Sequence, residues 1–171
     1  MRKDWIFFLV LAVAVVSCQE NDSAPVAEFT GNEMVFALDQ ASDFNVSGTA
    51  TFKEKVDGNA LVLIALSGTE GNTQLPAHLH LGDIKTPAAD IALLLNPVVA
   101  ASGISETAIT KLADDTPVTY QELLKLEASI KIHLSDSGPE RDIILAGGNV
   151  GLLANKTVPG GRVGMAICKS E

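Results

Sequence analysis

Short stretches of the chain alternate between apolar and polar residues. In the segment 45–55, every second residue is small or apolar: Val46, Gly48, Ala50 and Phe52. A period of two is typical of a β-strand with one buried face. Asp57-Gly58-Asn59 is a strong turn signal, and the apolar segment 60–66 follows it. The segment 45–67 therefore predicts a β-hairpin.

The rest of the chain repeats this pattern of short apolar segments separated by turn residues. Thr119-Tyr120-Gln121-Glu122 has the form of a helix capping box, which predicts one short helix of about two turns ending near Glu127. Further strands are predicted at 33–38, 76–82, 91–95, 104–112, 128–134 and 142–146, with a break at Gly147-Gly148 and a final hairpin of 150–154 with 162–168. The pattern indicates an all-β fold, an antiparallel β-sandwich or a Greek-key barrel, with one short helix.

The N-terminus has the pattern of a secretory signal. Arg2 and Lys3 precede an unbroken apolar run from Trp5 to Val16, which is shorter than a membrane span. The Cys that follows, Cys18, resembles the modified residue in the lipobox of bacterial lipoproteins. We therefore expect acylation of Cys18, which would anchor the protein to a membrane.

This interpretation divides the chain into three parts. We expect a signal peptide at 1–17, a lipid-anchored polar tether at 18–32 and a single domain at 33–171. If Cys18 is acylated, Cys168 has no disulfide partner, so the fold must rest on its hydrophobic core. Cys168 itself is predicted to be a buried apolar residue of the last strand.

The charge of the chain narrows the range of partners. The sequence has 12 basic and 21 acidic residues, a formal net charge of −9. An acidic surface is repelled by phosphates, which excludes nucleic acid and electrostatic docking on anionic lipid. Gln19 after the Cys resembles an outer-membrane sorting signal, and Glu20-Asn21-Asp22 resembles export signals for the cell surface. We expect a bacterial outer-membrane lipoprotein, either periplasmic or surface-exposed.

The three histidines of the chain all fall in predicted strands. Alternate residues of a strand share a face, so His78 and His80 point away from the apolar residues Ala77, Leu79 and Leu81. In a later strand, Lys131 and His133 point away from Ile130, Ile132 and Leu134. If the two strands are neighbours, three imidazoles converge on the outer face of one sheet. Such a group can bind copper or zinc and leave one position open for water.

Two interpretations of these histidines stay open at this point. In the first, His78, His80 and His133 bind a metal, with Asp83, Asp136 or Glu140 as a fourth ligand or as support for the ligands. In the second, the imidazoles pair with carboxylates or aromatic rings and bind no metal. The cation Lys131 on the face of His133 counts against a metal ion if the two side chains lie close together.

Several segments resemble the chordin-type CHRD domain. Ala77-His78-Leu79-His80 resembles its A-H-I-H-like strand, the short leucine-rich helix resembles its Leu-x-x-Leu helix, and Ile130-Lys131-Ile132-His133 resembles its strand ending in N-V-H. Gly48-Thr49-Ala50 and Leu66-Ser67-Gly68 match its opening G-T-A and closing L-S-G. The resemblance spans about 45–150. Gly138-Pro139-Glu140-Arg141-Asp142 matches only part of the Gly-Gly-Glu-x-Arg-Gly stretch that usually follows the last His.

The resemblance implies an immunoglobulin-like sandwich, similar in layout to copper/zinc superoxide dismutase. CHRD domains occur in growth-factor-binding proteins of animals and in secreted or anchored proteins of bacteria. His78, His80 and His133 match three copper ligands of the dismutase. The remaining ligands of its two metals have no counterpart, because the chain has only three histidines. Dismutase activity at a two-metal site is therefore not expected.

No nucleophile and base appear in a frame such as G-x-S-x-G. We therefore expect a lipid-anchored cell-envelope protein that is not an enzyme, acting as a binding or structural module for a protein or glycan ligand. The alternative is an envelope copper- or zinc-binding protein that uses the three-His site. A redox enzyme with a single copper is a third hypothesis, supported by fold analogy alone.

Overall fold

The computed structural model describes residues 27–86 and 88–154 of the chain. The predicted signal peptide at 1–17, the lipidated Cys18, most of the predicted tether and the predicted strand that carries Cys168 lie outside the described residues. Within the described ranges there is no helix with the length and apolar character needed to cross a membrane.

The described residues form eight β-strands and one short α-helix. In chain order these are β1 (Phe29–Gln40), β2 (Ser47–Lys55), β3 (Ala60–Ser67), β4 (Gln74–Leu81), β5 (Ile91–Val99), β6 (Ile104–Ile109), α1 (Tyr120–Leu123), β7 (Glu127–His133) and β8 (Ile144–Gly151). A 3-10 turn, Pro139–Asp142, precedes β8. The strand pairs are antiparallel, which confirms the predicted all-β fold with one short helix.

The sheet closes into one barrel with the strand order β1-β2-β3-β6-β5-β4-β7-β8. This single barrel differs from the two separate sheets of the predicted immunoglobulin-like sandwich. The closure is uneven, because two neighbouring strand pairs share very little of their length. β1 meets β8 at Asp39–Gly147 and Gln40–Ala146, and β5 meets β6 at Val99–Ile104. Two four-stranded halves, β1-β2-β3-β6 and β5-β4-β7-β8, are therefore joined by thin seams.

Side chains reinforce the seam between β5 and β6. The backbone N–H of Asn96 donates to Oγ1 of Thr107 at 2.8 Å, and Oγ of Ser105 donates to the Asn96 carbonyl at 2.6 Å. These bonds occupy backbone groups that a regular ladder would pair with the neighbouring strand. The barrel therefore stays closed where its backbone pairing is sparse.

One core fills the barrel. Phe52, Ile64, Leu79, Ile130 and Ile132 are among its fully buried side chains. The predicted core faces are confirmed except at Leu81, which is 44% exposed. Leu81 is the last residue of β4, beyond a shift of register against β5, and so it no longer follows the inward alternation.

The predicted break at Gly147-Gly148 is wrong, since β8 runs through both glycines. A Cβ atom on Gly148 would lie 2.0 Å from the carbonyl oxygen of Ala37 in β1. Glycine is therefore needed here because two strands approach closely, and it does not end the strand.

The helix and the first strand differ from their predicted bounds. The capping box is confirmed: Oγ1 of Thr119 accepts from the N–H of Glu122 at 3.3 Å, and the carboxylate of Glu122 accepts from the N–H of Thr119 at 2.8 Å. The helix has only one turn, because Glu127 already pairs with β8. β1 begins at Phe29, earlier than the predicted Glu33, and a register shift between these two residues accommodates the extra length.

Two loops cover the outer face of β7 and β8. The loop 82–90 between β4 and β5 is held by Asn149, whose Oδ1 accepts from the N–H of Ile84 and whose Nδ2 donates to Asp83, both at 2.8 Å. The segment 134–143 returns over the same side. As a result, β8 is buried along its whole length and β7 from Ala128 onward. This covered layer outside the barrel contains the histidines.

Candidate metal centre

The barrel brings the three histidines together. β4 lies beside β7, with His78 opposite Lys131, and His133 follows Lys131 by two residues on the same face. The ring centroids of His78 and His133 are 5.0 Å apart, those of His78 and His80 5.7 Å, and those of His80 and His133 6.3 Å. One ligand nitrogen from each ring lies within 4.8 Å of the others, so the three are close enough to bind one metal ion.

The covering loops orient two of the rings. Nδ1 of His80 lies 2.8 Å from the carbonyl oxygen of Ala89 in the loop 82–90. Nδ1 of His133 lies 2.9 Å from the carbonyl oxygen of Arg141 in the segment 134–143. A carbonyl oxygen only accepts, so Nδ1 carries the proton in each ring. In the neutral ring, Nε2 then has a free lone pair, which is the arrangement that metal-binding histidines use.

Those two Nε2 atoms are buried without a hydrogen-bond partner. His80 is only 2% exposed and His133 only 4% exposed, so water does not replace the missing partner at the surface. A buried polar atom left unpaired costs about 1–3 kcal/mol. Two such atoms on neighbouring rings, whose centroids are 6.3 Å apart, indicate a site that a bound group completes.

Burial keeps the imidazoles neutral. The pKa of His78 is lowered from 6.5 to about 4, chiefly by burial and then by the neighbouring His133 and His80. Burial is also the largest cause of the lowered pKa of His80 and of His133, although each carbonyl hydrogen bond acts in the opposite direction. Neutral imidazole is the form that binds a metal, so the ligands need no deprotonation near neutral pH.

Lys131 lies in the same covered layer and is fully buried. Its Nζ donates to the carbonyl oxygen of Thr86 at 3.4 Å. Its charge contributes to the lowered pKa of His80 and of His133. The amine thus disfavours protonation of these rings, and it also opposes a cation among them. The carboxylate of Asp142 acts in the opposite direction, since it raises the pKa of His133.

A cleft of about 410 Å³ opens beside the histidines and is lined by Asp136, Arg141 and Asp142 as well as by all three rings. Of the carboxylates proposed from the sequence, Asp136 lies in this cleft. Asp83 instead accepts from Asn149 and holds the loop 82–90, and Glu140 does not line the cleft. None of the three belongs to the group whose ligand atoms converge.

Asp142 was not identified from the sequence as a site residue. Its Oδ1 is buried without a hydrogen-bond partner and forms an ion pair with Nε of Arg141 at 3.9 Å. The sequence pattern predicts it only as the first residue of a strand, 142–146. The β7–β8 hairpin offers a signal in the sequence for this site residue. His133 pairs with Ile144 at the start of β8, so an acidic residue just before β8 lies close to His133.

The residues present fit a metal ion. Nitrogens bonded to one tetrahedral zinc at about 2.0–2.1 Å lie about 3.4 Å apart. The ligand nitrogens of the three histidines lie within 4.8 Å of one another. Small rotations of the rings, with no backbone rearrangement, would therefore bring them to this spacing. Three protein ligands leave a fourth position, and the cleft provides access to it.

Comparison with known proteins adds no identity: no family model, no curated protein and no solved structure matches this chain.

Proposed function

We propose that this protein binds a single copper or zinc ion through His78, His80 and His133. The observation that carries the proposal is the pair of buried, unpartnered Nε2 atoms on rings whose Nδ1 atoms are already bonded to backbone carbonyls. Imidazole suits both metals, while magnesium and calcium require oxygen ligands. The fourth position, facing the cleft, makes the centre a binding or reaction site and not a closed structural one.

Calorimetric titration of the metal-free protein with copper(II) and zinc tests the proposal. We expect one equivalent to bind with a dissociation constant below about 1 μM, which corresponds to roughly 8 kcal/mol. His80→Ala should weaken binding by at least about 100-fold, because only two imidazoles remain. Cys168→Ser is the matched control, since Cys18 and Cys168 are the other strong ligands of the chain and are expected to make no contribution.

The proposal fails if no metal binds more tightly than about 1 μM, or if His80→Ala binds as tightly as the parent protein. A loss in Cys168→Ser equal to that in His80→Ala would point to thiolate binding instead. Binding also stabilises the folded state, so a saturating metal should raise the unfolding temperature of the parent and not that of His80→Ala.

We infer further that the domain is held in a bacterial cell envelope. The support is the signal-like N-terminus with Cys18 at its end and the acidic residues that follow it. Acyl chains on Cys18 would anchor the protein to the outer membrane, on its periplasmic or its outer side. Cys18→Ala should release the protein from washed membranes into the soluble fraction. Retention of this variant would remove the anchor hypothesis.

We also propose that the barrel is a flattened Greek-key fold of the CHRD type. The two thin seams support this proposal, because they divide the barrel into halves that resemble the sheets of a sandwich. The neighbours β4 and β7 support it too, since β7 returns beside the first of the three consecutive strands β4, β5 and β6, which is the mark of a Greek key. An experimental structure would test the assignment through the strand order.

A second candidate function is the binding of a protein or glycan, without catalysis. It is favoured by an apolar rim on β5, formed by Ile91 and Leu94, which are 43% and 65% exposed. Leu94 lies opposite His78 in the neighbouring strand, and Ile91 lines the cleft. Leu94→Lys should weaken binding to any partner found among envelope proteins and glycans. A partner bound equally well by this variant would use another surface.

A further inference from the structure

The carboxylate of Asp142 is the polar group of the cleft whose surroundings are least explained by the fold. Its side chain is 40% exposed, but Oδ1 is buried without a hydrogen-bond partner and lies 3.9 Å from Nε of Arg141, with which it forms an ion pair. Asp136 lines the same cleft, and its carboxylate accepts a hydrogen bond from Oγ of Ser137 at 2.8 Å. The two carboxylates therefore share one environment, but only Asp142 has a buried oxygen with no donor.

The backbone places Asp142 next to a metal ligand. The preceding residue, Arg141, provides the carbonyl oxygen that accepts from Nδ1 of His133. Asp142 is also among the charges that act on His133. Its oxygens are outside the group of nitrogens that lie within 4.8 Å of one another, so Asp142 is not placed as a fourth direct ligand. Asp142 and the three imidazoles line the same cleft.

We propose that the carboxylate of Asp142 accepts a hydrogen bond from a water molecule at the fourth position of the metal. This inference rests on the proposed function and extends it. Asp142 is then a positioning residue, because it holds the water molecule at the fourth position. Its negative charge also offsets the positive charge of the buried Lys131. The same charge disfavours small anions at the fourth position, so the centre discriminates between water and anions.

Two measurements on Asp142→Asn, with Asp136→Asn as the matched control, test this role. The first is the affinity for zinc and copper(II). Groups that hydrogen-bond to the ligands of a metal usually contribute about 10- to 100-fold to its affinity. We therefore expect metal affinity to fall about 10-fold in Asp142→Asn and less than about 3-fold in Asp136→Asn. The second is the affinity of azide for the copper(II) protein, followed through the azide-to-copper absorption band.

Azide should bind about 3- to 10-fold more tightly to Asp142→Asn, because the repelling carboxylate is gone. A purely structural role would weaken the metal and azide together, whereas this proposal requires opposite signs. Equal changes in Asp142→Asn and Asp136→Asn would overturn the inference and leave the proposed function in place. A parent protein that binds no metal would overturn both.

The parent protein gives an independent result if Asp142→Asn does not fold. Copper(II) bound with an open fourth position should show the azide band on titration. A copper-loaded parent that binds azide at least as tightly as aqueous copper(II) does would overturn the inference. If zinc binds and copper(II) does not, the zinc affinities of Asp142→Asn and Asp136→Asn test the inference. Equal zinc affinities in the two variants would overturn the inference.

Discussion

Two hairpins of the barrel, β2–β3 and β7–β8, contribute the same kind of inner face and very different outer faces. On β2–β3 the outer residues are half-buried, as Thr49, Thr51, Leu61 and Leu63 are. On β7–β8 they are fully covered and polar: Ser129, Lys131, His133 and Asn149. The first hairpin is an ordinary two-sided sheet with one face to the core and one toward solvent.

The second hairpin carries polar groups in a position that is expensive for folding. Buried polar groups cost free energy unless they are hydrogen-bonded, and on this hairpin Nε2 of His133 and Oγ of Ser129 are buried without a partner, as is Nε2 of His80 on the neighbouring strand β4. Covering this face with two loops therefore gains little stability by itself. This difference between the hairpins is what the proposed function requires, with a covered face for binding and an inner face for stability.

The largest expected effect concerns the face that the two hairpins share. Ile130 in β7 and Ile64 in β3 are both fully buried in the core. Ile130→Ala and Ile64→Ala should each lower the free energy of unfolding by about 2–5 kcal/mol, through lost burial and a residual cavity. Chemical denaturation measures both. A much smaller loss at Ile130 would mean that β7 does not share the core, which would break the comparison.

The next effect is a pH dependence that only the covered face should produce. The pKa of His78 is about 4 in the folded protein and 6.5 as its ordinary value. Between these values the unfolded chain binds more protons, so stability should rise as pH increases from about 4 to 6.5 and level off above it. At about 1.36 kcal/mol per pKa unit, His78 changes the free energy of unfolding by at most roughly 3 kcal/mol across this pH range.

Denaturation of the metal-free protein at several pH values checks this expectation, and His78→Gln provides the control. The variant should lose a large part of the slope between pH 4 and 6.5. An unchanged slope would assign the acid sensitivity to carboxylates elsewhere in the chain. His80 and His133 should keep part of the slope in the same direction, since the pKa of each is lowered as well.

A smaller effect is expected from Asn149, which holds the loop 82–90 in place. Asn149→Ala removes the acceptor of the buried N–H of Ile84 and the donor to Asp83. A loss of about 1–3 kcal/mol in unfolding free energy is expected from the unpaired groups. Metal affinity should fall too, because the loop 82–90 carries the Ala89 carbonyl that orients His80. A loss of stability with unchanged metal affinity would show that the loop covers the site without organising it.

The alternation of residue types predicted much of this arrangement. It located the strands, placed the three histidines on one face and identified the capping box at Thr119. It did not predict that this outer face is buried, because burial there depends on two loops whose path is fixed by distant contacts such as Asn149 with Ile84. Asp142 was missed for the same reason. Gly148 was misjudged because its glycine is required by Ala37, a residue far away in sequence.

The smallest effect tests whether the two halves of the barrel are independent of the site. Thr107→Val keeps the shape of the side chain but leaves the N–H of Asn96 without its acceptor at the β5–β6 seam. A loss of about 0.5–1.5 kcal/mol is expected, while Thr51→Val on the half-buried outer face of β2 should change little. Metal affinity should stay unchanged in Thr107→Val, because the three histidines lie on β4 and β7, which pair directly with each other. A fall in metal affinity would show that the seam helps to position β4, and the site would then depend on closure of the whole barrel.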